Sequence, residues 1–149
     1  MKLTSMNEVL KFAVRKEADA AALYRMAAER SNPGVKKAFE ELAKEEEGHK
    51  KRLESFDPKQ VEKTDVKGVK GLGIAETFVD VPFSSDMSYA DLLRMAIKNE
   101  EASYHLYTSA SQSVSESGLK KLLLILAQEE STHKERLEKI YDKEILQEF

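Results

Sequence analysis

Two of the three histidines in this sequence follow a glutamate by three residues, a spacing that suits metal binding from a helix. The pairs are Glu46 with His49 and Glu130 with His133. Residues three apart lie on one face of a helix, so each pair can direct a carboxylate and an imidazole at the same point. Oxygen and nitrogen ligands of these types bind divalent transition metals. The pattern, which occurs twice, therefore predicts a metal site.

Two further glutamates, Glu17 and Glu100, lie at the depth that one shared site requires. With turns near residues 32 and 115, Glu17 lies 15 residues before the first turn and the paired glutamate lies 14 after it; in the second hairpin both separations are 15. At about 1.5 Å per residue, each lone glutamate is then level with the pair on the neighbouring antiparallel helix. Two such hairpins facing each other would bring six side chains together.

Four glutamates on the apolar faces of helices are costly unless cations neutralise them. Unpaired buried carboxylates lose their hydration and become protonated instead. Two divalent cations would balance four carboxylates with both histidines neutral, as in carboxylate-bridged dinuclear sites of four-helix bundles. The predicted metal ligands, whose carboxylates are also the predicted catalytic groups, are Glu17, Glu46, His49, Glu100, Glu130 and His133. The alternative, a metal-free bundle with acidic surfaces, requires that all four helix phases be wrong by roughly 100°.

The elements that must position these residues are four amphipathic helices. Apolar residues recur with the helical period in two hairpins, 7–56 and 88–141. Between them, the segment 57–87 contains two of the three prolines and three of the six glycines, and it is long enough to cross the length of a bundle. The sequence therefore predicts a single all-α domain over 1–149, a four-helix bundle with a long crossover and a C-terminal tail at 142–149.

The two hairpins are related by an internal repeat. The segments 42–54 (LAKEEEGHKKRLE) and 126–138 (LAQEESTHKERLE) match at 9 of 13 positions without a gap. The turns before them also align, as GVKK and GLKK. A duplicated hairpin explains why each candidate ligand occurs twice at the same depth.

Composition excludes several other classes of protein. The 149 residues include no cysteine, so disulfides, thiol nucleophiles and iron–sulfur clusters are excluded from this sequence. The net charge of −3 with both signs interspersed gives no basic surface for nucleic acid. The longest apolar run, 122–127, is too short to span a membrane, and no signal-peptide core is present at 1–14. We therefore expect a cytoplasmic protein with no nucleic-acid or membrane partner.

The residues beside the ligands divide into surface and core positions. Four glutamates lie one position from a ligand and so point about 100° away; they are predicted surface charges, and they are Glu45, Glu47, Glu101 and Glu129. His105 is likewise predicted to be a surface residue. Tyr24 and Tyr107 each lie seven residues past a ligand, which favours core packing. Tyr104 lies one turn past Glu100 and has alanine as its counterpart, so a functional phenol near one metal is predicted there.

Four segments carry a family resemblance: KEADAAALY, EEEGH, NEEASYHLY and EESTH. They resemble the erythrin domain of rubrerythrins, within the ferritin-like superfamily, over residues 7–56 and 88–141. The resemblance implies a ferritin-like bundle with one crossover, di-iron binding by the six residues named above, and Glu46 and Glu130 as the bridging carboxylates. It also implies reduction of hydrogen peroxide, or oxidation of the ferrous pair by dioxygen.

The sequence departs from that family in two ways. Rubrerythrins proper carry a rubredoxin domain with four cysteines, and this sequence has none, so the resemblance implies an external electron donor such as a separate rubredoxin or a reductase. Rubrerythrins proper also carry a seventh carboxylate three residues after the third-helix ligand, where this sequence has Ser103. A six-ligand site is similar to the symmetric centre of bacterioferritins.

Three functions follow as hypotheses. The leading one is a di-iron peroxidase or oxidase whose oxidised centre is oxo-bridged. The second is a ferroxidase or iron-storage protein without peroxidase turnover, and the third is a non-catalytic interaction bundle. Oxygen and nitrogen ligands also accept manganese or zinc, and a homodimer is compatible with a duplicated hairpin.

Overall fold

Four long helices form the protein in its computed structural model, which describes residues 5–56, 74–80 and 86–146. The helices are α1 (Met6–Arg30), α2 (Pro33–Glu54), α3 (Tyr89–Ser113) and α4 (Ser117–Glu144), and a short 3₁₀ helix covers Ile74–Thr77. Within those three ranges no residue forms a β-strand. None of the described helices combines the length and the apolar character that crossing a membrane requires.

The helix ends follow from local capping. The hydroxyl of Ser88 accepts a hydrogen bond from the Asp91 N–H at 3.1 Å, which satisfies one of the unpaired donors at the start of α3. Pro33 stands in the first turn of α2, where its missing N–H costs nothing. The Glu116 carboxylate accepts from the Gly118 N–H at 2.9 Å and closes the start of α4. A Cβ at Gly118 would lie 3.1 Å from that carboxylate, so glycine suits the close approach.

Two helix boundaries differ from the sequence prediction. Helix α2 ends at Glu54 rather than at residue 56, and the Ser55 hydroxyl donates to the Arg52 carbonyl at 2.6 Å just beyond it. Helix α4 continues to Glu144, so the predicted tail at 142–149 begins three residues too early. Side-chain packing supports the extra turn, because Glu144 is buried and the neighbouring Ile145 packs against the core.

The helix directions match a bundle with one long crossover. Short turns make α1 antiparallel to α2 and α3 antiparallel to α4. Tyr24 of α1 reaches Glu100 of α3, and Tyr107 of α3 reaches Glu17 of α1, so α1 and α3 also run antiparallel. It follows that α2 and α3 are parallel, as a crossover from one end of the bundle to the other requires. Most of the predicted crossover, 57–73 and 81–85, lies outside the described residues.

The described part of the crossover is attached to α3. The Asn99 side chain accepts a hydrogen bond from the Val79 N–H at 2.7 Å and donates one to the Val79 carbonyl at 2.9 Å. Phe78 packs edge-on against Phe12 of α1, with ring centroids 5.4 Å apart. Residues 78–80 therefore cover the seam between α1 and α3.

The apolar core is divided into two clusters by the candidate ligands. One cluster contains the first half of α1 and of α4 with the last half of α3, and the other contains the opposite halves. In each helix the predicted ligands fall between residues of the two clusters: Glu17, for example, lies between Ala13 and Leu23. Burial of each large apolar side chain contributes about 1.5–3 kcal/mol, so these clusters can support a costly polar layer between them.

Candidate metal centre

The six predicted ligands meet at the middle of the bundle, one from each of α1 and α3 and two from each of α2 and α4. All of them are between 1% and 3% exposed, and they are Glu17, Glu46, His49, Glu100, Glu130 and His133. Each lies well inside its helix, so the backbone that carries it is fully hydrogen-bonded. The equal depths expected from the sequence are therefore realised by helices of nearly matched length.

The ligand atoms form two groups that share two carboxylates. One group consists of Glu17, Glu46, His49 and Glu130, and the other of Glu46, Glu100, Glu130 and His133. Within each group one ligand atom from every residue lies within 4.8 Å of the others. Two overlapping groups of four describe a site for two cations with Glu46 and Glu130 between them.

Distances from the imidazoles place Glu46 and Glu130 centrally. His49 Nδ1 lies 2.8 Å from Glu130 Oε1, 3.4 Å from Glu46 Oε1 and 3.5 Å from Glu17 Oε2. His133 Nδ1 lies 2.7 Å from Glu46 Oε1 and 3.7 Å from Glu130 Oε1. The same two carboxylate oxygens therefore face both imidazoles, whose rings lie nearly parallel with centroids 5.5 Å apart.

The donor atoms of the site fit cations better than they fit one another. Although some lie close together, seven buried atoms of the cluster have no partner in hydrogen-bond geometry: Glu17 Oε2, Glu46 Oε1, His49 Nδ1, Glu100 Oε2, Glu130 Oε1, Glu130 Oε2 and His133 Nδ1. Buried polar groups without partners are rare, because each costs about 1–3 kcal/mol. Converging oxygen and nitrogen lone pairs are instead the surroundings of a metal ion, and four carboxylates match the charge of two divalent ones.

Without metal, the cluster must hold protons. Burial, followed by the negative charge of Glu100, raises the pKa of Glu46 and of Glu130 well above the usual range. For His49, burial acts to lower the pKa, but the carboxylates of Glu130 and Glu17 outweigh it and raise the pKa to about 11. Metal binding would replace these protons and relieve the repulsion among the carboxylates.

Tyr24 and Tyr107 take part in the site, whereas the sequence favoured core packing alone. The Tyr24 hydroxyl donates to Glu100 Oε1 and the Tyr107 hydroxyl donates to Glu17 Oε1. Both rings do pack in the core, as expected, and Tyr24 stacks on Phe39 with centroids 6.5 Å apart. Burial raises the pKa of both phenols well above its ordinary value, so they remain donors at neutral pH.

The prediction of a functional phenol at Tyr104 is wrong in position. Tyr104 is 37% exposed and its ring lies against His105, with centroids 5.3 Å apart. The buried stripe of α3 continues from Glu100 through Ser103 and Tyr107, and Tyr104 lies at its edge. His105 is exposed, as predicted.

Two of the four predicted surface glutamates also contact the site. Glu129 Oε2 lies 2.7 Å from His49 Nε2, and Glu45 Oε2 lies 3.4 Å from His133 Nε2. Both carboxylates are partly exposed, which is why the helical phase alone places them on the surface. Glu47 and Glu101 form only surface ion pairs, with Arg25 and Lys134. The missed signal was the repeat itself, since Glu45 and Glu129 occupy equivalent positions in the two halves.

Comparison with known proteins agrees with this geometry. A family model for rubrerythrin matches residues 8–90 and 91–148. The fold is similar to the crystal structure of a ferritin-like diiron-carboxylate protein from Thermotoga maritima, with a TM-score of 0.72 and 21% sequence identity over 97% of this chain and 98% of that chain. A search among curated proteins gives no match. The predicted ferritin-like four-helix bundle is confirmed by the fold and by this neighbour.

Proposed function

Because the chain belongs to the rubrerythrin family, we propose that it is a di-iron oxidoreductase that reduces hydrogen peroxide or dioxygen with electrons from an external donor. The observation that carries this proposal is the pair of four-residue groups sharing Glu46 and Glu130. Two cations held by shared carboxylates lie close enough to react as a unit, typically about 3.5–4 Å apart.

Two bound ferrous ions would supply the two electrons that, with two protons, convert one hydrogen peroxide molecule into two waters. A rubredoxin or a reductase would return two electrons after each turnover, because this sequence has no cysteine to hold a rubredoxin-type iron. Carboxylate oxygens favour the ferric state, and neutral imidazole suits either state. Manganese or zinc would fit the same donors, so iron is part of the proposal.

Glu17 and Glu100 would each hold one end of the site. In both, Oε1 accepts the hydrogen bond of a tyrosine, and Oε2 is the buried atom without a partner. Each carboxylate therefore offers one oxygen to a cation while its other oxygen is fixed. Because burial raises the pKa of Tyr24 and Tyr107, the proton stays on the phenol oxygen and the orientation of the carboxylate is kept.

The surroundings of the site restrict what can reach it. The two apolar clusters close the bundle along its length above and below the ligands. On the side of α1 and α3, a small cavity of about 10 Å³ adjoins Glu100, Tyr24 and Ser103 beneath Phe78 and Val79. That volume corresponds to roughly one water molecule. A substrate of two oxygen atoms is therefore favoured over an organic one.

A single-turnover experiment tests the proposal. The protein is loaded anaerobically with two equivalents of ferrous iron, mixed rapidly with hydrogen peroxide or dioxygen, and followed by the absorbance of ferric iron. We expect oxidation much faster than that of free ferrous iron under the same conditions. Glu47→Gln, on the surface one position from Glu46, should leave the rate unchanged. Oxidation no faster than for free iron would refute the oxidoreductase.

A ferroxidase or iron-storage role is the second candidate, and Ser103 is the observation that favours it. Ser103 is buried beside Glu100 and supplies a hydroxyl where rubrerythrins proper supply a seventh carboxylate. Storage predicts that iron-loaded protein elutes as a large assembly with many irons per chain, and that dioxygen oxidises it faster than peroxide does. A purely structural bundle predicts that Glu46→Ala combined with Glu130→Ala changes neither the metal content nor the stability in the presence of metal.

A further inference from the structure

The outer edge of His49 is held by a relay of two charged residues. Nε2 of His49 lies 2.7 Å from Glu129 Oε2, and the same carboxylate oxygen lies 3.2 Å from Arg52 Nη1. Glu129 belongs to α4, whereas His49 and Arg52 belong to α2. The imidazole thus has one nitrogen facing the carboxylate cluster and the other facing a carboxylate on the opposite helix.

The same arrangement occurs at the second histidine. Nε2 of His133 lies 3.4 Å from Glu45 Oε2, and Arg136 Nη1 lies 2.8 Å from that oxygen. The three residues of this relay are the repeat equivalents of the first three, each 84 positions away. Both relays line one groove of about 310 Å³ between α2 and α4, the side of the bundle opposite the α1–α3 seam. Two independent occurrences make an accidental surface contact a poor explanation.

We propose that Glu45 and Glu129 are positioning residues that fix the tautomer and the orientation of the two histidines. A neutral imidazole has one N–H and one lone pair. If Nε2–H donates to the glutamate, Nδ1 carries the lone pair toward the two bridging carboxylates, where a cation would bind. This inference rests on metal binding at the proposed site.

Arg52 and Arg136 complete the arrangement by holding each glutamate carboxylate in place. An exposed ion pair alone contributes little to stability. Here, however, one member of each relay is a histidine that is almost fully buried, so the carboxylate acts on a group that cannot turn to water. Glu47 is the internal comparison: it also pairs with an arginine, Arg25, but it touches no histidine.

Zinc affinity measured by competition with a fluorescent chelator tests this role. We expect Glu129→Ala and Glu45→Ala to weaken binding by about 10- to 100-fold, as loss of a carboxylate behind a metal-binding histidine typically does. Glu129→Gln and Glu45→Gln should recover part of the loss, because an amide oxygen still accepts the N–H. The control Glu47→Ala should stay within about twofold of the unsubstituted protein. Alanine variants that bind zinc as tightly as this control would overturn the proposal.

A spectroscopic readout separates positioning from general stability. In zinc-loaded protein containing ¹⁵N-histidine, both His49 and His133 should show a protonated Nε2, and the alanine variants should show altered or averaged signals. This measurement on the unsubstituted protein decides the matter even if a variant fails to fold. A protonated Nδ1 in zinc-loaded protein overturns the tautomer assignment alone. Failure of the unsubstituted protein to bind zinc overturns it together with the proposed function.

Discussion

Replacing Tyr24 by phenylalanine removes the hydroxyl that donates to Glu100 and leaves the aromatic ring in the core. The ring is 1% exposed and stacks on Phe39, so its apolar contacts should survive. A hydrogen bond to a charged buried group contributes about 1.5–3 kcal/mol. Metal-loaded Tyr24→Phe should therefore lose about that much unfolding free energy, which for a chain of this size lowers the melting temperature by about 3–12 °C.

Urea unfolding of the zinc-loaded protein measures this loss, with Tyr104→Phe as the matched control. The Tyr104 hydroxyl lies on the surface, so its removal should change the unfolding free energy by no more than about 0.5 kcal/mol. Tyr107→Phe should behave like Tyr24→Phe, because it leaves Glu17 without its donor. The two losses should be nearly additive, since each tyrosine serves a different glutamate. If Tyr24→Phe is as silent as Tyr104→Phe, the hydroxyl does not orient a ligand.

Three further outcomes follow from the site and its helices. Burial raises the pKa of Glu46 and Glu130 in the folded state, so their contribution to stability is present below the unfolded value of 4.5 and is lost as pH rises; thermal melts from pH 5 to 8 should show metal-free protein weakening with pH, and zinc-loaded protein departing increasingly from it. Glu17 belongs to one ligand group and Glu130 to both, so Glu17→Ala should reduce bound zinc from two to one while Glu130→Ala removes both, as native mass spectrometry would show; equal zinc content in the two variants would contradict shared bridging. Ser88→Ala removes the cap of α3 and should cost about 0.5–2 kcal/mol in urea unfolding without changing zinc affinity.

The six ligands could be predicted from the sequence because their alignment depends on geometry within each helical hairpin. The spacing of Glu46 and His49 fixes their common face. The equal distances of Glu17 and Glu46 from the turn fix their common depth. Both rules are local, and duplication applies them a second time to the other hairpin. The structure brings the two sets together at the centre of the bundle.

The partners of the ligands could not be predicted in this way, because they depend on how one hairpin lies against the other. Tyr24 reaches Glu100 only because α1 and α3 are antiparallel neighbours. Glu129 reaches His49 only because α2 and α4 face each other across the groove. No periodicity within one helix contains that information. The misassignment of Tyr104 has the same origin, since its choice depended on closeness to Glu100 along one helix.

The duplication makes the ligand cage symmetric, and the surroundings make the two ends of the site different. Every ligand, each tyrosine donor and each charged relay has its repeat equivalent in the other half. Asn99, which holds residue 79 over the α1–α3 seam, instead has Lys16 as its equivalent, and the small cavity adjoins Glu100 rather than Glu17. A symmetric cage allows two cations to be bound alike, while one-sided access allows an oxidant to reach one of them first. The difference between the halves therefore concerns the approach to the metals rather than their ligands.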